Sequence, residues 1–405
     1  MRNETMATHD TLTLYFCGSG NNRKQTNKYL IPSLYERTRG KSEALTDSAC
    51  KVAIYDGPGG STKTPEYVTR KVQSRLMGDK PDPVGAFASG GKAKRYNRIK
   101  KINEITGAGA TSNVLQAWSW IRYQLWANPK AIKHINMVGF SRGGYSCIML
   151  AHVLNKDPVV STSKIKVNIF AFDPVPGGFN LSNGHINDEF RRMKRFKQLI
   201  DCDPTELPPI VNRYHSIVQE NVKHTEVQHM GKIPIWLIWK DKNFQCVVPK
   251  WKPGTDTEGK SLQIYPMPGH HSASANFDPK YAETLTIGRH LCEKFLKDNG
   301  TELTGGTPLT PNAILANYTA IKEKCLKDTK SNGYKKKPTN YRGQLIENAQ
   351  RGSDTFVNEH HYDVHCSVYG RPISNFTMNE DMGRVRGARP APAQPAAAFE
   401  EVAIA

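Results

Sequence analysis

The most constraining stretch is Ile135–Cys147, read Ile-Asn-Met-Val-Gly-Phe-Ser-Arg-Gly-Gly-Tyr-Ser-Cys. Its mostly apolar start suits a short buried strand. Gly139-Phe140-Ser141-Arg142-Gly143 then forms a G-x-S-x-G pattern, and helix-compatible residues follow through Val153. Strand, sharp turn with serine at its tip, then helix is the context a nucleophilic serine requires. The flanking glycines have a steric reason. The turn holds the serine backbone in a strained conformation, and a Cβ on either side would strike the neighbouring strand or helix. A Gly-rich strand-to-helix turn without chemistry has the same local sequence, so the rest of the chain must decide between the two.

Thr11–Cys17 alternates and is rich in β formers, which predicts a strand running into the Gly18-Ser19-Gly20-Asn21-Asn22 loop. Lys51–Tyr55 predicts a second strand, ending in Asp56-Gly57-Pro58-Gly59-Gly60. Residues 61–100 are polar and basic and read as a surface excursion. Thr111 is a plausible N-cap, and apolar residues at helical spacing follow from Val114 to Leu125. After the serine turn, Ile165–Phe172 is an apolar strand ending at Asp173-Pro174. Strands and helices alternating in this rhythm predict an α/β fold with a mostly parallel sheet. Functional residues of such sheets collect just past the carboxyl ends of strands, where Asp173 falls. An aspartate there is also an ordinary turn former.

Further along, Glu189–Ile200 fits a basic amphipathic helix, Val211–Val218 a strand and Ile233–Trp239 a strongly apolar segment. Ser261–Tyr265 reads as a short strand leading into Pro266-Met-Pro-Gly-His270-His271-Ser272, with a helix from about Pro279 to Leu296. A histidine between the last strand and the last helix completes the chain order Ser141, Asp173, His271. Three such residues at strand ends, in order, are more specific than any one. The adjacent His270 is the alternative base.

The expected organisation is a flexible N-terminus over 1–10 and one α/β domain over 11–300, with lid-like insertions at about 61–105 and 178–260. A C-terminal helical and irregular extension over 301–385 and a Pro/Ala-rich disordered tail over 386–405 follow. Within the extension, Glu359, His360, His361, Asp363, His365 and Cys366 gather polar side chains without the paired spacing of zinc sites, so a surface or packing cluster is expected. The eight cysteines include no C-x-x-C pair and several sit in apolar contexts, which predicts reduced, buried thiols. The polar start Met1–Asp10 predicts no cleaved signal peptide, and no apolar run approaches the ~20 residues of a spanning helix. With 56 lysines and arginines against 37 acidic residues, the net charge of +19 favours acidic partners.

The chain resembles the bacterial α/β-hydrolase lipase family that includes phospholipase effectors of type VI secretion. Leu14–Asn22 is similar to the family's first strand and Asp-Gly-Thr-x-Asn loop, with Cys17 in place of the aspartate. Tyr55–Gly59 resembles its second strand and Gly turn, and Gly107–Ala117 its lead into the helix before the serine turn. Gly139–Gly143 is the family's Gly-Phe-Ser-Arg-Gly, Phe172–Val175 takes the place of Trp-Asp-Thr-Val, and Gln263–Ser272 resembles Gln-x-Trp-x-Pro-Gly-x-His-Ser with one residue inserted. That last match favours His271 over His270. Ala273-Ser274-Ala275-Asn276 stands where the family has Asp-Val-Gly-Gly. The resemblance covers roughly residues 11–296.

It implies an α/β-hydrolase fold and cleavage of carboxylic esters by Ser141, Asp173 and His271, with a lipid or other ester as substrate. Backbone N–H groups of Arg142 and of Gly18 or Ser19 would form the oxyanion hole. No metal or other cofactor is called for, and bound calcium is left open. Expected partners are a membrane surface in transient contact and a chaperone, immunity protein or secretion machinery; no nucleic acid is expected. The expected setting is synthesis in a bacterial cytoplasm and export by a specialised secretion system to a target cell or periplasm. The alternatives are an esterase or amidase for a small soluble substrate, and an inactive binding protein that keeps the fold.

Overall fold

The computed structural model describes residues 10–58, except 43–44 and 46, together with residues 60, 110–128, 131–175, 203–221 and 246–326. The expected excursion at 61–100, the segments Glu189–Ile200 and Ile233–Trp239, the His-rich cluster at 359–366 and the tail at 386–405 lie outside the described residues.

The elements in chain order are β1 (Thr11–Phe16), α1 (Leu30–Arg37), β2 (Val52–Tyr55), α2 (Ala110–Ala127), β3 (His134–Phe140), α3 (Arg142–Lys156), the single turn α4 (Pro158–Ser161) and β4 (Lys166–Phe172). Then come β5 (Glu206–Leu207), β6 (Val211–Asn221), β7 (Lys250–Trp251), β8 (Ser261–His270), a 3₁₀ turn (Pro279–Tyr281), α5 (Ala282–Asp298) and α6 (Pro311–Leu326). Among the described residues six strands form one sheet in the order β2-β1-β3-β4-β6-β8, with every pairing parallel. β5 and β7 make a separate two-stranded pair.

Parallel strands need both faces covered, because each crossover connection returns over the sheet. β1 and β2 are accordingly buried at every residue, and β3 and β4 at all but the first. On one face Leu12, Leu14, Met137 and Ile169 pack with Leu115 and Trp120 of α2 and with Ile148 and Leu150 of α3. On the other, Tyr15, Val138, Phe170 and Ile217 pack with Leu30 and Leu34 of α1 and with Ile287 and Phe295 of α5. Ile321 of α6 belongs to this second cluster. The result is a mostly parallel sheet flanked by helices, an α/β fold. Among the described residues no helix is long and apolar enough to cross a membrane.

Four local expectations are corrected. α2 already includes Ala110, so Thr111 lies inside the helix instead of capping it. The helix expected from about Pro279 begins with a 3₁₀ turn, for which the Asp278 side chain accepts from the Lys280 N–H. β6 lies within 178–260, the span expected to be an insertion, yet it is an inner strand between β4 and β8. β8 continues past Tyr265 to His270, through both prolines. Among the described residues β8 is at the edge of the sheet, where a missing N–H need not break a ladder, so proline is tolerated.

A buried polar ladder crosses the amino-terminal half of the sheet. Thr13 and Thr301 share a hydroxyl–hydroxyl bond of 2.8 Å, and the Asn136 amide donates to Thr301 Oγ1 and to the Asn299 carbonyl, each at 2.8 Å. Asn168 donates to Asn136 Oδ1 at 2.9 Å and Asn212 to Asn168 Oδ1 at 3.2 Å. These bonds knit four strands to the chain after α5, at the end of the sheet opposite the candidate site.

Candidate active site

Ser141 sits between β3 and α3 with φ 56° and ψ −122°. Asp173, directly after β4, has φ 43°. They are the two non-glycine residues with positive φ among the described residues. A side chain in that region is strained and persists only where its surroundings hold it. Here the surroundings are backbone. The Ser141 N–H donates to the Phe172 carbonyl at 2.8 Å, and the Ser141 carbonyl accepts from Tyr145 and Val175 N–H, each at 3.1 Å. The Asp173 N–H donates to the Ile217 carbonyl of β6 at 2.7 Å.

The glycines explain how the turn closes. A Cβ on Gly139 would lie 2.3 Å from the carbonyl carbon and oxygen of Gly143, and one on Gly143 would lie 2.1 Å from the Phe16 carbonyl oxygen. The strand before the serine, the helix after it and the end of β1 therefore meet backbone to backbone.

The fold brings Ser141, His271 and Asp173 into one hydrogen-bonded chain. His271 follows β8; its Nε2 lies 2.8 Å from Ser141 Oγ and its Nδ1 lies 2.5 Å from Asp173 Oδ2. A carboxylate accepts, so Nδ1 carries the hydrogen and the Nε2 lone pair faces the serine hydroxyl. The other carboxylate oxygen of Asp173 accepts from the Gln219 N–H at 3.2 Å. The imidazole also stacks on Phe140, with ring centroids 5.0 Å apart. Ser141, Asp173 and His271 are 3%, 0% and 4% exposed, so the chain lies out of bulk water. His270 ends β8, and its side chain lies outside the described residues.

The residues expected to supply backbone donors adjoin this chain. Arg142 is the first residue of α3, where an N–H has no carbonyl one turn earlier to bond. Gly18 abuts the turn, since a Cβ there would meet Phe140 Cδ1 at 2.5 Å. The Arg142 guanidinium donates to Ser19 Oγ at 2.8 Å. Sequence reasoning missed two contributors, the Gln219 N–H and the Phe140 ring. Backbone donors leave no mark in a sequence, but Phe140 occupies the variable position directly before the serine.

The five cysteines whose side chains are described, Cys17, Cys50, Cys147, Cys246 and Cys292, are free and buried. Burial pushes the Cys17, Cys147 and Cys292 thiols well above their ordinary range, so they are poor nucleophiles.

No family model matches this chain, and no curated protein matches it. A crystal structure of an uncharacterized protein from Pseudomonas aeruginosa aligns at 12% identity and a TM-score of 0.34, covering 97% of this chain and 66% of that one. A structure of the Tle1 effector bound to the VgrG spike from the type VI secretion system aligns at 14% identity and a TM-score of 0.29, covering 67% of this chain and 51% of that one. The chain thus spans about two thirds and about half of the lengths of these two structures, and likenesses of this size decide neither fold nor activity.

Proposed function

We propose that the protein is a serine hydrolase that cleaves carboxylic esters with Ser141, His271 and Asp173. One observation carries the proposal: the His271 imidazole joins Ser141 Oγ at 2.8 Å to the buried Asp173 carboxylate at 2.5 Å. Ser141 Oγ attacks the ester carbonyl carbon while His271 Nε2 takes its proton. The tetrahedral oxyanion is held by backbone N–H groups of Arg142 and of Gly18 or Ser19. The intermediate collapses, His271 protonates the departing alcohol, and an acyl group remains on Ser141. Water then attacks that ester with His271 as base, releasing the acid and restoring the serine. Asp173 keeps the ring in the productive tautomer and stabilises its charge.

The strand order supports an α/β-hydrolase arrangement. Ser141 follows the third strand of β2-β1-β3-β4-β6-β8, Asp173 the fourth and His271 the last. The gap between β1 and β3 is also where strand order reverses, the usual ligand crevice of such sheets.

For the substrate we favour a lipid acyl ester. The sequence resemblance to lipases and the charge of +19, suited to anionic head groups, support that choice. A lipase or phospholipase of this kind would act as an exported bacterial effector, with an immunity protein, chaperone or secretion component as partner. The test is a fluorophosphonate probe together with phospholipid vesicles and short soluble acyl esters. Wild-type protein should be labelled and should turn over esters, with higher rates on vesicles, and Ser141→Ala should do neither. Equal turnover by the two proteins would overturn the proposal. Turnover confined to soluble esters would replace the lipid substrate with a small one.

A further inference from the structure

We propose that the Arg142 side chain and the Ser19 hydroxyl form a brace that fixes the loop after β1 against the start of α3, making both residues positioning residues for the oxyanion site. The inference rests on the serine-hydrolase reading above. Its observation is one hydrogen bond, Arg142 Nη1 to Ser19 Oγ at 2.8 Å, between residues 123 positions apart.

Elsewhere this loop is tied to the turn after β2. The Gly20 N–H donates to the Pro58 carbonyl and the Gly57 N–H to the Asn21 carbonyl, each at 2.9 Å. Arg23 donates to Asp56 Oδ1 from its backbone N–H at 2.8 Å and from Nε at 3.2 Å. Those bonds shape the loop but do not reference it to the nucleophile. The Arg142–Ser19 bond does, because Arg142 follows Ser141 directly. Both expected oxyanion donors, the Arg142 N–H and a loop N–H, are thereby fixed to one residue.

Arg142 is 7% exposed, so its guanidinium is held largely out of water with Ser19 Oγ as a fixed acceptor for Nη1. Oxyanion donors act through preorganisation, so a loop free to drift would have to be re-aimed in each turnover.

The experiment has two stages on the full chain. Ser141→Ala comes first: if it still takes up a fluorophosphonate probe, the serine-hydrolase reading fails and the brace with it. If labelling depends on Ser141, then Ser19→Ala and Ser19→Thr are compared with wild type on a soluble acyl ester. Ser19→Ala should lower kcat about tenfold or more, with KM within about twofold, and weaken a boronic acid transition-state analogue by a similar factor. The pH midpoint of the basic catalyst should not move. Ser19→Thr, which keeps the hydroxyl, should recover most of the loss. Ser19→Ala with wild-type kcat and analogue affinity would overturn the brace, and so would equal impairment of both variants.

Discussion

His271 Nδ1 lies 2.5 Å from Asp173 Oδ2, across 98 residues of chain. Asp173 has no solvent exposure, so its carboxylate depends on protein donors, the imidazole on one oxygen and the Gln219 N–H on the other. Asp173→Asn keeps the shape but can present an amide N–H to Nδ1, which favours the tautomer that turns an N–H towards Ser141. The expected result is a fall in kcat of about 10⁴-fold with fold and KM retained. Steady-state ester hydrolysis and the rate of fluorophosphonate labelling measure it. Activity within about tenfold of wild type would take Asp173 out of the chemistry.

Which parts of this arrangement were legible in the sequence follows from range. Gly139, Ser141 and Gly143 fall within five residues, and the backbone contact they permit is local, so the pattern carries its own explanation. Asp173 is announced by the uninterrupted apolar strand before it. Asn136 and Asn168 carry no such signal. Each looks like a lone polar residue in an apolar strand, and only the register that sets them side by side turns them into partners. β6 reads Val-Asn-Arg-Tyr-His-Ser-Ile-Val-Gln-Glu-Asn, too polar to advertise an inner strand. Its place is set by β4 and β8, which pair on either side of it. The extension of β8 through Pro266 and Pro268 depends on its edge position, a property of the sheet and not of the segment.

Gly143→Ala should damage stability and activity together. The added Cβ would meet the Phe16 carbonyl oxygen at 2.1 Å and the Cys17 carbonyl oxygen at 2.8 Å, both backbone atoms that no rotamer change can clear. Overpacking of this kind costs about 1–3 kcal/mol or more, and any relief must move the turn that carries Ser141. Gly254→Ala is the control. Among the described residues nothing lies within 4 Å of its Cβ, and its φ of +78° alone is unfavourable, which costs about 1 kcal/mol. Thermal melts should show both variants destabilised, Gly143→Ala more so, with ester turnover lost only in Gly143→Ala.

Asn136→Ala should separate the other way. It strips partners from Thr301, the Asn299 carbonyl and the Asn168 amide, in a ladder whose central residues are buried. A buried polar group left unpaired costs about 1–3 kcal/mol. The ladder crosses the sheet near the starts of β3 and β4, whereas Ser141 and Asp173 follow their ends, so kcat should be unchanged in the folded variant. Urea unfolding read beside ester turnover checks both halves. A fall in kcat without a fall in stability would contradict this division of labour.

His215 should make the protein acid-sensitive. Its ring packs near Phe170, Tyr265 and Phe295, and burial, with the neighbouring Arg213 charge second, brings its pKa down from 6.5 to about 3. In the unfolded chain the imidazole takes up a proton near pH 6.5, while the folded protein refuses it until about pH 3. The contribution is therefore fully present above pH 6.5 and is lost as pH falls from there towards 3, at about 1.4 kcal/mol per pH unit. His134, His152 and His290 are shifted down by burial in the same sense and add to the slope. His215→Phe removes the titrating group, together with the ring's hydrogen bonds to Ser261 Oγ at 3.2 Å and Tyr265 Oη at 3.3 Å, and should flatten the dependence of unfolding free energy on pH by about one proton between pH 6 and 4. Urea midpoints across that range measure it, and a variant with the wild-type slope would show that the His215 ring protonates freely in the folded state.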